Sequence, residues 1–119
     1  MNEVYNKAIE LIERDKLNKK NRRREIVNKR IFIFSMLRSE GMTFKQIADL
    51  FNLNHATVIH GINRYKDLKS TRDFSLNLDT QEYKCFFEDK NFSLHDDILK
   101  AKTIKHLMLI KDRIKKGLY

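Results

Sequence analysis

Apolar positions along the chain recur at helical spacing in several separate stretches. Val4, Ala8, Leu11 and Ile12 share one face of a segment covering residues 3–20, and Ile9 widens that stripe. Over 25–40, Ile26, Arg30, Phe34 and Leu37 give an incomplete stripe. Ile31, Ile33 and Met36 broaden it, so this helix is expected to lie beneath its neighbours. Phe44, Ile47, Ala48 and Phe51 then fall at i, i+3, i+4 and i+7, and Val58, Ile62 and Tyr65 at i, i+4 and i+7. The stretch 70–79 is polar and reads as a link, with Tyr83, Phe86 and Phe87 packing back on the core. Ser93 is positioned to cap one last helix, whose broad stripe is Leu94, Ile98, Ala101, Ile104, Leu107, Met108, Ile114 and Leu118. Asp96 and Asp97 complement its dipole. No Pro and three Gly fit an all-α chain with few sharp loops.

Residues 43–69 organise the rest. Asn52, Leu53 and Asn54 separate two short helices, and Asn both tolerates the left-handed conformation of a sharp turn and caps helices. Thr43, with Gln46 three residues on, forms a capping box, and Gly41 offers a cap to the helix before it. Ala48 and Gly61 are small where crossing helices must approach. This is the pattern of a helix-turn-helix, whose second helix enters the DNA major groove. On that helix Thr57, His60 and Arg64 line the edge opposite the apolar face, flanked by Ala56 and Asn63. Thr donates or accepts, Asn pairs with adenine through two points, and an Ala methyl packs on a thymine methyl. Asn54 is either a plain cap or a base contact. His55 and His60 would elsewhere read as ordinary surface histidines; here they join the candidate contacts. Thr43, Lys45 and Gln46 occupy the first turn that faces phosphate in such motifs.

Charge adds a direction to this picture. The chain carries a formal net charge of +9, which favours a polyanionic partner, nucleic acid first. Ten basic and two acidic residues fall in 14–38, three basic and seven acidic in 71–99, and seven basic and one acidic in 100–119. The run Lys19–Arg24 lies just upstream of the motif. It is either a solvated loop or a backbone and minor-groove contact, for which Arg suits a narrow groove.

The words IADLF and NHATVIHG resemble the C-terminal, origin-box-reading domain of the bacterial replication initiator DnaA. Asn54-His55-Ala56-Thr57-Val58, then His60 and Gly61, stand where that family carries Asp-His-Thr-Thr-Val, a His and a small residue. Lys29-Arg30 and the following IFIFSMLRSEGMTFKQI resemble its preceding helix. The match covers about 22–68, and Asn54 and Ala56 depart from the family at reading positions. The resemblance implies a DnaA-like, Trp-repressor-like helical domain that binds double-stranded DNA, with Arg22, Arg23, Arg24, Lys29 and Arg30 on phosphates.

No phosphate-cradling glycine loop, zinc motif or nucleophile elbow occurs, and one cysteine, Cys85, with four scattered His gives no metal signature. Neither an enzyme nor a cofactor is therefore expected, nor a membrane span, and the setting is taken as cytoplasmic. A DNA-binding domain over 1–69 is expected, followed over 70–119 by a linker and a C-terminal helical extension that packs on it or mediates association. A homodimer through the N- or C-terminal helix is the second partner expected. The role implied is a small regulator of transcription or replication, with a phage or mobile element as one origin that fits. The rival is a basic protein-interaction module that binds an acidic partner.

Overall fold

A computed structural model describes residues 3–89 and 91–119. The described residues form seven helices and no strand: α1 (Glu3–Arg14), α2 (Arg24–Ser39), α3 (Phe44–Phe51), α4 (His55–Ser70), α5 (Phe74–Glu88), α6 (Leu94–Lys100) and α7 (Ile104–Lys115). The all-α expectation holds, and none of these helices is long and apolar enough to cross a membrane.

α2 sits at the centre. Ile31, Phe32, Ile33 and Phe34 are all buried. Successive side chains turn by roughly 100°, so four in a row point round most of the helix. An element of that kind must be covered on nearly every side, and α1, α3, α4 and α5 all pack on it. Phe32 meets Tyr65 of α4 and both Tyr83 and Phe87 of α5, at ring separations of 6.0, 6.1 and 5.9 Å. Phe34 meets Phe51 of α3 edge-on at 4.8 Å. α4 comes close to α2 at Gly61. A methyl there would lie 2.8 and 2.9 Å from Phe34 Cδ2 and Cε2 and 3.2 Å from Ile31 Cγ2. The close neighbour of Gly61 is thus the central helix.

Helix ends follow local chemistry. α1 stops at Arg14, short of the expected residue 20: Lys16 takes φ 54° and Leu17 folds back into the core, its N–H donating to Ile12 O at 3.0 Å. Gly41, at φ 91°, closes α2, with Gly41 N–H on Arg38 O (3.0 Å) and Met42 N–H on Leu37 O (3.3 Å). The capping box at α3 is formed: Gln46 N–H donates to Thr43 Oγ1 (3.1 Å) and Thr43 N–H to Gln46 Oε1 (3.0 Å).

Two expectations change. The stretch 70–79 is mostly helix, because Asp73 caps α5 through Leu76 N–H (2.8 Å) and only 71–73 bridge it to α4. The buried side chains of α5 are Leu76, Thr80, Gln81 and Tyr83. Thr80 fits an apolar place because its hydroxyl donates to Leu76 O at 2.7 Å. The single last helix is instead two. Ser93 caps α6 and Thr103 caps α7. α7 turns Leu109 and Ile110 inward, not the expected stripe. Buried Gln81 of α5 donates to Asp112 Oδ2 (2.7 Å) and accepts from Arg113 Nε (2.7 Å), while Arg113 also reaches Asp97 of α6 (2.8 Å). That polar network selects the inward face. It leaves Ile104, Leu107, Met108 and Ile114 exposed, Ile104 at 78 %.

Asp15 joins α1 to α5, accepting from Tyr83 Oη and from Arg14, which also reaches Glu82 at 2.7 Å. Burial alone would raise the Asp15 carboxyl. The hydrogen bonds from Arg14 and Tyr83, with the charges of Arg14 and Lys29, outweigh it and hold the group below the usual carboxylate range. A depressed carboxyl stabilises the fold above its unfolded value, about 3.9, and that contribution is lost as pH falls through the folded value.

We predict that Asp15→Asn lowers stability at neutral pH and that the gap to the parent narrows in acid below about pH 4. Denaturant unfolding of both chains across pH checks this; a gap constant down to low pH would refute it. For Gly61→Ala, better helix propensity is worth about 1 kcal/mol. Crowding Phe34 costs about 1–3 kcal/mol. The expected net is a loss of about 1 kcal/mol in urea unfolding, and a gain would show that Phe34 yields freely.

Candidate nucleic-acid interface

The turn between α3 and α4 is short because two Asn residues do different jobs. Asn52 takes the left-handed conformation (φ 57°, ψ 42°), and the following N–H of Leu53 returns to Ala48 O at 3.0 Å. Asn54 starts α4 by accepting from Ala56 N–H at 2.8 Å. With Val58, Ile62 and Tyr65 buried, the opposite edge of α4 must face out. His55, Ala56, Thr57, His60 and Arg64 are all exposed, as is Asn54. Asn54 Oδ1 is engaged as the cap, so its Nδ2 is the atom left to meet a ligand.

Thr57, His60 and Arg64 border a shallow groove of about 240 Å³. Its floor is supplied by Val27, Ile31 and Phe34 of α2 together with Leu53, and Arg30 closes its side. A polar edge therefore flanks an apolar trough. Such a trough accepts a methyl or the flat face of a ring, while the rim offers hydroxyl, imidazole and guanidinium donors. Leu53 was not among the expected site residues; an apolar residue held in an otherwise polar turn was its signal.

The expected phosphate contacts divide. Arg22, Arg23 and Arg24 are exposed around the start of α2. Arg23 is the N-cap residue there, and its side chain makes no capping bond. Arg24 reaches Asp73 at 3.4 Å, a contact that solvent keeps weak. Lys45 is exposed on α3, and Gln46 and Thr43 are exposed but joined in their capping box. Lys29 and Arg30 stand apart. The Lys29 side chain is only 12 % exposed, bonds Glu25 at 3.1 Å and lies over the Tyr83 ring at 5.6 Å.

Arg30 turns to the backbone of the basic loop. Its Nε donates to Leu17 O (2.8 Å), Nη1 to Asn21 O (2.7 Å) and Nη2 to Lys19 O. Burial lowers its pKa, yet a guanidinium stays charged at neutral pH. One side chain thus gathers the carbonyls of Leu17, Lys19 and Asn21, with Lys20 between the last two and Arg22 and Arg23 directly after them. Arg30 is a positioning residue for the cationic loop. The lone apolar Leu17 inside a basic stretch was the sequence signal that the loop folds back.

Arg30→Met should cost about 2 kcal/mol of stability, since charge-assisted bonds are worth about 1.5–3 kcal/mol each before relaxation. It should also loosen residues 18–23, with NMR order parameters falling below about 0.6. Arg30→Lys should not restore them, because an ammonium cannot span three carbonyls. Unchanged order parameters in Arg30→Met would overturn this role. Among the described residues no three metal-ligating side chains cluster. No protein-family model, no curated protein and no solved structure matches the chain.

Proposed function

We propose that the chain binds double-stranded DNA through a helix-turn-helix formed by α3 and α4, with α4 entering the major groove. The observation that carries this reading is the exposed edge Thr57, His60 and Arg64 beside a cationic loop whose backbone Arg30 gathers. The DnaA-like word at 54–61 supports the same reading from the sequence side. Thr57, His60 and Arg64, with Ala56 and His55 at the helix start, approach base edges. Arg22, Arg23, Arg24 and Lys45 neutralise phosphates, and Lys29 and Arg30 act from behind them. The role is binding rather than catalysis, in the cytoplasm, as a small regulator of transcription or replication. If copies pair, α6 and α7 offer the surface, because the Ala8, Leu11 and Ile12 face of α1 is buried in the core.

Selection from a random duplex pool tests the reading. It should return an enriched motif whose affinity falls steeply with salt. An inverted repeat would accompany pairing of two copies, and a single box a monomer. Thr57→Ala should cost about 1–3 kcal/mol on the selected site and relax preference at particular base pairs. Arg23→Ala should weaken all sequences alike and lower the salt slope by about one unit. Asn54→Ala is a poor probe, since losing the cap removes about 1 kcal/mol of stability whatever the ligand. A pool with no enriched motif would sink the proposal and leave the basic surface to an acidic protein partner.

A further inference from the structure

A second concave, cationic site lies away from the reading edge. The C-terminal end of α4, the bridge 71–73 and α5 as far as Lys84 enclose a groove of about 260 Å³. Tyr65, Leu68 and Leu76 supply apolar wall, and Lys69, Arg72 and Lys84 supply three positive charges. Among the described residues none of these three cations has a carboxylate at ion-pair distance. Acids nearby are otherwise engaged or out of reach. Asp73, which also lines the groove, has its Oδ2 committed to Leu76 N–H (2.8 Å) and to Arg24 (3.4 Å). Glu88 lies one turn beyond Lys84 and acts on it only through its charge. Lys84 is half-buried, so its ammonium is partly stripped of water, and Lys69 adds a like charge close by.

Gathering like charges over partly desolvated lysine is unfavourable unless an anion completes the group. A single carboxylate would leave most of that positive charge uncompensated. A phosphate monoester carries up to two negative charges and three acceptor oxygens, and the successive phosphodiesters of a nucleic-acid backbone supply one charge each, so either can answer an Arg fork beside Lys point charges. The Asn77 side chain, also on the wall, adds a polar group.

We propose that the α4–α5 groove is a phosphate-binding site, with Lys84, Lys69 and Arg72 as its ligands. The phosphate belongs either to a small phosphate ester, such as a nucleoside monophosphate, or to the backbone of a bound duplex. The two share one chemistry, and the apolar wall beside the cations accommodates the sugar or base of either. The site stands on its own lining and does not depend on the duplex reading of α4.

Isotope-labelled full-length chain, held at constant ionic strength, is titrated by NMR with inorganic phosphate, with adenosine monophosphate and with a short duplex. Saturable shifts of the amides of residues 72–77 and 84 with the free anions identify a small-ester site. Shifts at those amides with duplex alone identify backbone phosphate. In either arm Lys84→Met should weaken the interaction by about tenfold, as loss of one charge-assisted bond implies, and Lys84→Arg should retain it. Lys69→Met gives a second variant should Lys84→Met melt early by circular dichroism. If neither anion nor duplex moves these amides, or if both neutral variants bind as the parent does, the groove is an ordinary solvated cationic face and the proposal is overturned.

Discussion

The packing of α1, α3, α4 and α5 depends on a helix whose middle turn is buried on every side. Ile31 to Phe34 are buried in sequence, and Asn28 and Leu37 extend the burial to both ends of α2. Each fully buried side chain of this size contributes about 1.5–3 kcal/mol, but only if a neighbour covers it. Four helices must therefore turn their apolar faces to α2, which fixes where their polar faces go. The outward edge of α4 is a consequence of that demand. Tyr65 and Val58 are drawn inward, and Thr57, His60 and Arg64 have no other place to be. Gly61 sets how close α4 comes, so the packing of Phe34 and the depth of the trough beside the reading edge are one geometric fact.

Burying the middle of α2 also brings polar groups inside, and the chain handles most of them with α5. Asn28, fully buried, donates to Asp79 at 2.8 Å. Its Oδ1 has no protein partner, the kind of atom that an ordered water commonly satisfies. Tyr83 has its pKa pushed far up, first by burial and then by its hydrogen bond to Asp15. As a neutral donor it fastens α5 to the end of α1, and its ring passes beneath Lys29. A basic residue expected on DNA is thereby pulled into the packing between α2 and α5.

Much of this was legible in the sequence, in proportion to how locally each feature is determined. The box at Thr43, the caps at Asn54 and Ser93, the Gly41 stop and the exposed edge of α4 need only a turn or two of chain, and the spacing announces them. α5 was not legible because its inward line includes Thr80 and Gln81. Their burial depends on hydrogen bonds, one local to Leu76 and the others to α7, which lies about thirty residues on. The C-terminal stripe misled for the same reason. Apolar residues mark a face able to be buried, but Arg113, Asp112 and Gln81 decided which face was. Arg30 shows the limit most clearly: beside Lys29 it reads as one more surface cation, and only the return of the loop through Leu17 reveals three carbonyls in reach.

The distribution of charge follows from the same architecture. The acidic middle of the sequence is not a screen over the reading edge. Asp73 faces Arg24, Asp79 faces Asn28 and Glu82 faces Arg14, so these carboxylates are turned toward the junctions of α5 with α1 and α2. The two ion pairs among these, Arg24–Asp73 and Arg14–Glu82, are open to solvent on the arginine side and add little stability, about 0–1 kcal/mol each. Their effect on the field is larger. Of the cations in 19–24 only Arg24 meets one of these acids, and Lys19, Lys20, Arg22 and Arg23 have no ion pair among the described residues. The carboxylates of α5 are thus engaged where it packs on α1 and α2, and not on those loop cations.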